Sequence, residues 1–190
     1  DLFLTWGDTI TEHLQVFKEI PAETVLALPK IIRLRDSRYL NLLEKSIRDN
    51  LEAIDGFLIS SLEHVGILQQ WNFLQGKKRY GDHGLYLWNC RSIEFWKDYL
   101  DGFCMPLELN YAEQRQIVNG ILPAEKLLYG RIPMMVTANC VTKTTDHCRR
   151  EEGFGITELI DRYHKVFPVM RNCTHCYNII YNSVPFSLHK

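Results

Sequence analysis

Through the first 136 residues, short apolar runs alternate with amphipathic stretches. Val25-Leu26-Ala27-Leu28-Pro29-Lys30-Ile31-Ile32 predicts a buried strand, with Pro29 better suited to an edge, bulge or strand start. Leu40, Leu43, Ile47, Leu51 and Ile54 recur at spacings of three and four, one face of a helix that Asp36 or Ser37 can cap. Gly56-Phe57-Leu58-Ile59-Ser60 predicts the next strand. Ser60 and Glu63 form a capping-box pattern ahead of Val65, Leu68 and Trp71, a second helix. Leu85 to Asn89 reads as a strand, and Ser92 opens a helix carrying Ile93, Trp96 and Leu100. A strand over Phe103 to Leu109, a short helix from Asn110 to Val118, and an extended run from Leu127 to Val136 broken by Pro133 complete the series.

Strand starts recur about every 20 to 30 residues, the length of a strand-helix unit with short loops. Such alternation predicts parallel strands joined by right-handed crossovers, an α/β fold. Past Val136 the helical periodicity stops. Glu158-Leu159-Ile160-Asp161 and Val166-Phe167-Pro168-Val169 flank Arg162-Tyr163-His164-Lys165, which predicts a hairpin with a polar turn. The expected organisation is a strand-helix region over 1–136 and a cysteine-rich cap of loops and a hairpin over 137–190. A cap so short needs metal, disulfide or docking to support its small core.

Composition changes this picture little. The 190 residues are 46% hydrophobic and 24% charged, a globular composition that excludes intrinsic disorder. A formal net charge of −1 gives no overall field for nucleic acid or anionic membrane. No apolar run approaches the roughly 20 residues that cross a bilayer, and the first residues lack a signal-peptide pattern, so a cytoplasmic location with no membrane partner is expected. Lys77-Lys78-Arg79 is a local basic run that reads as solvated surface, and the charge of Arg149-Arg150 is cancelled by Glu151-Glu152.

Candidate chemistry sits in two places. Cys140, Cys148, Cys173 and Cys176 have the spacing C-x7-C-x24-C-x2-C. Four thiolates can surround a zinc ion or an iron-sulfur cluster, and a C-x2-C pair supplies two ligands from one turn. Without a secretory signal, metal or cluster binding is favoured over a disulfide framework or inert thiols. Zinc is the default from spacing, and the long x7 gap leaves a cubane cluster open. His147 and His175 can each replace one ligand, while Cys90 and Cys104 read as buried thiols. The second place is the carboxyl ends of the predicted strands, where ligands bind in parallel sheets and barrels. These ends carry Arg33, Ser60, Asn89, Glu108, Asn110 and Arg131. Glu108, between Leu107 and Leu109, is a candidate general base or an ion-pair partner of Arg115 or Arg131, and Asn110 is equally a helix cap. Ser60-Ser61 lacks the G-x-S-x-G context of a nucleophile elbow; H-E-x-x-H and glycine-rich phosphate loops are missing too.

The stretch Leu128-Tyr129-Gly130-Arg131-Ile132-Pro133-Met134-Met135-Val136-Thr137-Ala138-Asn139-Cys140 resembles part of the peptidase U32 family, the collagenase-like proteases. Leu28-Pro29-Lys30-Ile31-Ile32-Arg33, Asp55 to Ser60, Tyr80 to Asn89 and Glu108-Leu109-Asn110 resemble upstream blocks of that family. Asp161-Arg162 through Phe167-Pro168-Val169, Cys173, and Tyr181-Asn182-Ser183-Val184-Pro185 resemble downstream ones, so the likeness covers most of residues 25–188. The family's peptidase signature has a His-Gly-Ala followed by Cys; here the region reads Tyr129-Gly130-Arg131-Ile132-Pro133.

The resemblance implies a partial TIM-barrel-like region with a cysteine-rich segment at its mouth. It implies proteolysis of a protein or peptide, with catalytic roles expected for Glu108, Asn89 and Arg131 and substrate binding for Arg33, Ser60 and Asn110. Some family members hydroxylate RNA or a quinone precursor and carry a [4Fe-4S] cluster on four cysteines. The alternative reading is therefore cluster-dependent hydroxylation of RNA or a small aromatic substrate; a further one is a zinc-stapled module that binds peptide or RNA. A complete eight-unit barrel needs about 250 residues. The chain is therefore expected to be the C-terminal part of a longer enzyme, its open sheet edge covered by the missing N-terminal part or by a second copy.

Overall fold

The structure is a computed structural model and describes residues 2–5, 10–32, 37–118, 120–145, 148, 154–173 and 176–188. Arg33, Asp36, His147, His175 and the run Arg149 to Glu152 lie outside the described residues. Two units are present, Asp1–Leu127 and Leu128–Lys190, divided ahead of the expected 136/137 boundary.

The first unit alternates β1 (Leu2–Thr5), α1 (Ile10–Phe17), β2 (Thr24–Ala27), α2 (Ser37–Asp49), β3 (Gly56–Ile59), α3 (Leu62–Gln70), β4 (Lys78–Gly81), α4 (Cys90–Trp96), β5 (Gly102–Cys104), α5 (Tyr111–Ile117) and β6 (Ala124–Glu125). The strands form one sheet in the order β1-β2-β3-β4-β5-β6, and every neighbouring pair is parallel. The expected α/β alternation is therefore present, with β1 and β6 at the sheet's edges among the described residues. Leu43 and Ile47 on α2, Val65 and Leu68 on α3, and Ile93 and Trp96 on α4 bury the predicted helical stripes against Leu26, Phe57, Ile59 and Phe103 of the sheet. Each such side chain contributes about 1.5–3 kcal/mol on burial. Close packing also fixes Gly81, where a Cβ would stand 2.9 Å from a Leu100 methyl.

Two strands fall elsewhere than the pattern predicts. Leu85 to Asn89 is not a strand: β4 is Lys78–Gly81, and the later run is a single 3-10 turn, His83–Leu85, followed by a loop. That loop buries Leu87 and exposes Tyr86 and Trp88, an alternation that mimics a half-buried strand. The true strand is disguised by Lys78 and Arg79 at its amino end, where Lys78 pairs with Glu23. Likewise β5 stops at Cys104, because Pro106 has no N–H for the ladder, and this leaves Glu108 in an exposed turn rather than inside a strand.

The second unit holds β7 (Tyr129–Gly130), β8 (Pro133–Thr137), α6 (Val141–Thr145), β9 (Phe154–Ile160), β10 (Val166–Asn172), β11 (Tyr177–Tyr181) and β12 (Phe186–Ser187). β8-β11-β10-β9 form an antiparallel sheet, and β7 pairs with β12. The predicted hairpin is β9–β10, closed through His164 in the left-handed region at φ 60°. The extended run Leu127 to Val136 thus belongs to antiparallel pairs and not to the parallel sheet, as its broken register at Pro133 fits.

Candidate functional site

Parallel pairing brings the carboxyl ends of β2, β3, β4 and β5 side by side, and four polar side chains follow them at once. Lys30 lies three residues past β2, Ser60 directly after β3, and Asp82 and His83 directly after β4. The Lys30 ammonium pairs with Asp82 Oδ2 and donates to Ser60 Oγ at 3.3 Å. Asp82 Oδ1 accepts the His83 backbone N–H at 2.8 Å and lies 2.7 Å from His83 Nδ1. Burial works against the Asp82 carboxylate, yet His83 and Lys30 outweigh it and hold its pKa well below the usual carboxylate range. An ionised carboxylate thus sits between two nitrogen donors.

His64, on α3, locks this cluster from beneath. Its Nδ1 accepts the Ser60 backbone N–H at 3.1 Å, so its Nε2 carries the hydrogen and donates to Pro29 O at 3.0 Å. The ring is fully buried, which lowers its pKa to about 4 and keeps it neutral. One imidazole therefore ties the end of β2 to the end of β3, and with them Lys30 to Ser60. Ser61, not Ser60, caps α3 through the His64 backbone N–H, which leaves the Ser60 hydroxyl for Lys30. Cys104, at the end of β5, has a thiol pushed up to about 11 by burial, with Asp82 and Glu125 adding to the shift. It is a poor nucleophile there.

In the second unit three of the four expected ligands, Cys140, Cys173 and Cys176, lie at one end of the antiparallel sheet. Cys140 follows β8, Cys148 lies beyond α6, and Cys173 and Cys176 occupy the turn joining β10 to β11. Burial raises the pKa of the Cys173 thiol, Arg171 lowers it, and Cys140, Cys148 and Cys176 each add a small upward push. Cys176 is in the left-handed region at φ 52°. Asn178 Nδ2 donates to Asn139 O at 2.7 Å and Arg171 donates to Thr142 Oγ1 at 2.9 Å, fixing the segment before Cys140 and the helix after it. An all-thiol donor set fits a zinc ion or an iron-sulfur cluster. Among the described residues no three His, Cys, Asp or Glu are yet close enough to hold a metal ion, and none of the cysteines is joined in a disulfide.

The other sequence-selected residues are spread out. Asn89 and Asn110 are N-caps of α4 and α5, each in a reciprocal capping box with Ser92 and Glu113. Arg131 belongs to the second unit, where it donates to Asn182 O and Ser183 O at 2.8 and 2.7 Å. Cys90 is exposed and not buried. Among the described residues, Ser60 alone of those expected joins the strand-end cluster. Asp82 and His83 follow β4 directly only when that strand ends at Gly81, Lys30 follows β2 only when that strand ends at Ala27, and His64 sits on α3 with no pattern of its own. No family model matches this chain, and neither a curated protein nor a solved structure matches it.

Proposed function

We propose that the chain carries the active centre of a U32-class peptidase, at the carboxyl ends of β2 to β5. The observation that carries this reading is the Lys30–Asp82–His83 network with Ser60 beside it, at the end of a parallel sheet where α/β enzymes bind their substrates. Asp82 holds the hydrogen of His83 on Nδ1 and leaves Nε2 as the ring's acceptor, the arrangement a general base needs. A water gives its proton to Nε2 as its oxygen bonds to the peptide carbonyl carbon. The Lys30 ammonium and the Ser60 hydroxyl donate to the developing oxyanion. As the C–N bond breaks, the imidazolium returns the proton to the leaving amine. On this reading the consecutive strand order is an arc of a (β/α) barrel. Its edges at β1 and β6 are covered by further chain of the same protein or by a second copy, and the enzyme works in the cytoplasm.

The test compares Asp82→Asn, His83→Gln and wild type on fluorescein-labelled gelatin, with cleavage sites read by mass spectrometry. Losing the base or its orienting carboxylate should lower turnover by about 10³-fold or more, while the folded spectrum is kept. Full activity in either variant would sink this assignment.

The C-x7-C-x24-C-x2-C spacing of Cys140, Cys148, Cys173 and Cys176 supports a second reading, hydroxylation of RNA or a small aromatic substrate. The four thiols would hold a [4Fe-4S] cluster, which supplies one-electron redox chemistry when bound; zinc in the same place would only close the fold. Anaerobic reconstitution with iron and sulfide separates the two. Broad visible absorption without any peptide cleavage favours hydroxylation, and stoichiometric zinc without iron removes it.

A further inference from the structure

We propose that Tyr86 and Trp88 form a subsite for an aromatic side chain of the substrate, next to the Asp82–His83 pair. This rests on the peptidase reading above and names a preference within it. The 3-10 turn that begins at His83 ends at Tyr86, whose N–H bonds to His83 O at 3.1 Å, and Trp88 N–H bonds to Tyr86 O at 2.8 Å. The platform is thus tied to the proposed base by three residues of hydrogen-bonded backbone. Leu87 between the rings is 1% exposed and anchors the loop in the core, while Tyr86 and Trp88 remain 55% and 43% exposed. Their rings stack at 6.1 Å between centroids and 21° between planes. Two large rings pinned by a buried leucine form a preordered surface that a third ring can extend by offset or edge-on stacking.

Backbone strain points the same way. Tyr86 adopts φ 53°, ψ 54°, a left-handed conformation that glycine takes without cost and tyrosine does not. Observed strain of this kind clusters at ligand sites and is a reason to look for function there. Charge selects the occupant. From Gly84 to Cys90 the loop carries no ionised side chain; the carboxylate of Asp82 precedes it, Arg91 is the single cation directly after it, and the basic run Lys77-Lys78-Arg79 lies at the amino end of β4, the far end of the strand. A nucleobase platform in a nucleic-acid site is accompanied by cations that follow the phosphates. A neutral platform suits a Phe, Tyr or Trp side chain.

Two uncleavable probes, N-acetyl-phenylalaninamide and N-acetyl-leucinamide, test this by NMR titration of the Trp88 indole N–H, assigned with Trp88→Phe. The phenylalanine probe should shift that resonance and bind at least about 10-fold more tightly than the leucine probe. Trp88→Leu, which keeps apolar bulk, should erase the difference. Tyr86→Gly relieves the left-handed strain, so it should raise the melting temperature yet reduce the preference for the phenylalanine probe. Equal binding of the two probes, an unchanged preference in Trp88→Leu, or tighter binding of a short uridine oligonucleotide than of the phenylalanine probe would overturn the subsite. Aromatic preference without gelatin cleavage in wild type would keep the subsite and reject the peptidase; cleavage indifferent to aromatic residues would do the reverse.

Discussion

In Asp1–Leu127 the buried residues form one continuous apolar cluster running from Leu14 to Leu122, with side chains from the sheet and its helices. Among the described residues of Leu128–Lys190 the buried set is Val169, Tyr177 and Ile179, with Asn172 and Asn178 also buried. Its strands expose Met134, Met135, Ile156 and Ile160. Ladder hydrogen bonds alone stabilise such a sheet weakly, since their net worth over water is small. The first unit is therefore supported by carbon and can place a strained, charged cluster at its strand ends. The second has a thin core, with Cys140, Cys173 and Cys176 at one end of its sheet. The two units solve the same problem of order by different chemistry, so they should fail under different insults.

The largest expected effect lies in the second unit. With iron or zinc supplied, Cys173→Ser should cost several kcal/mol, since apparent binding energies at structural zinc sites run to about 10 kcal/mol or more. Amide exchange across β9, β10 and β11 should rise sharply, while amides of β3 and β4 change less. Unaltered exchange in β10 would mean that the quartet does not brace this sheet.

The first unit is to be broken at His64. His64→Phe keeps the volume and strands two buried partners, Ser60 N–H and Pro29 O, at about 1–3 kcal/mol each. The same imidazole sets a pH window. Its pKa is about 4 in the fold against 6.5 for an ordinary histidine, so the unfolded chain takes up a proton first on acidification. The stability from keeping His64 neutral is whole above pH 6.5 and is lost as the pH falls toward 4, on the order of 3 kcal/mol. Asp82 has a depressed folded pKa, so its contribution holds above the ordinary carboxylate value and fades only below this window. Urea titrations between pH 7 and 4 should show a steeper loss in wild type than in His64→Phe. Parallel slopes would remove His64 as the lock.

Asn89→Ala is a smaller probe of the same unit. It deletes a capping box on a seven-residue helix and should cost about 1 kcal/mol, measured as a shift in urea midpoint. A cost near zero would mean that packing of Ile93 and Trp96, not the cap, decides whether α4 forms.

How much of this was legible follows from where chemistry and pattern coincide. The buried stripe Leu43–Ile47, the strand Gly56–Ile59 and the hairpin β9–β10 have strong periodicities and were visible in the sequence. The cysteine spacing was visible because thiols are rare. Lys30, Asp82 and His83 were not, since each is an ordinary surface residue until the strand it follows is correctly ended. Misplacing β4 by a few residues moved the strand-end rule from Asp82 to Asn89, which serves as a cap. His64 was hidden more deeply, because a histidine on an apolar helix face has the same pattern whether it locks two loops or only fills space.

The smallest expected effect decides between the two versions of the site. Glu108→Gln changes an exposed carboxylate in a turn that forms no ion pair among the described residues, so stability should stay within about 0.5 kcal/mol. If the base is His83 oriented by Asp82, gelatin cleavage by Glu108→Gln should equal wild type at every pH tested. If Glu108 were the base, turnover would vanish while Asp82→Asn retained a measurable rate. The pair of variants is informative because the residues differ in what fixes them. Asp82 is held by Lys30 and His83 in a buried network. Glu108 follows Pro106 on a turn with no such support, and a general base needs its geometry held to within hydrogen-bond reach of one proton.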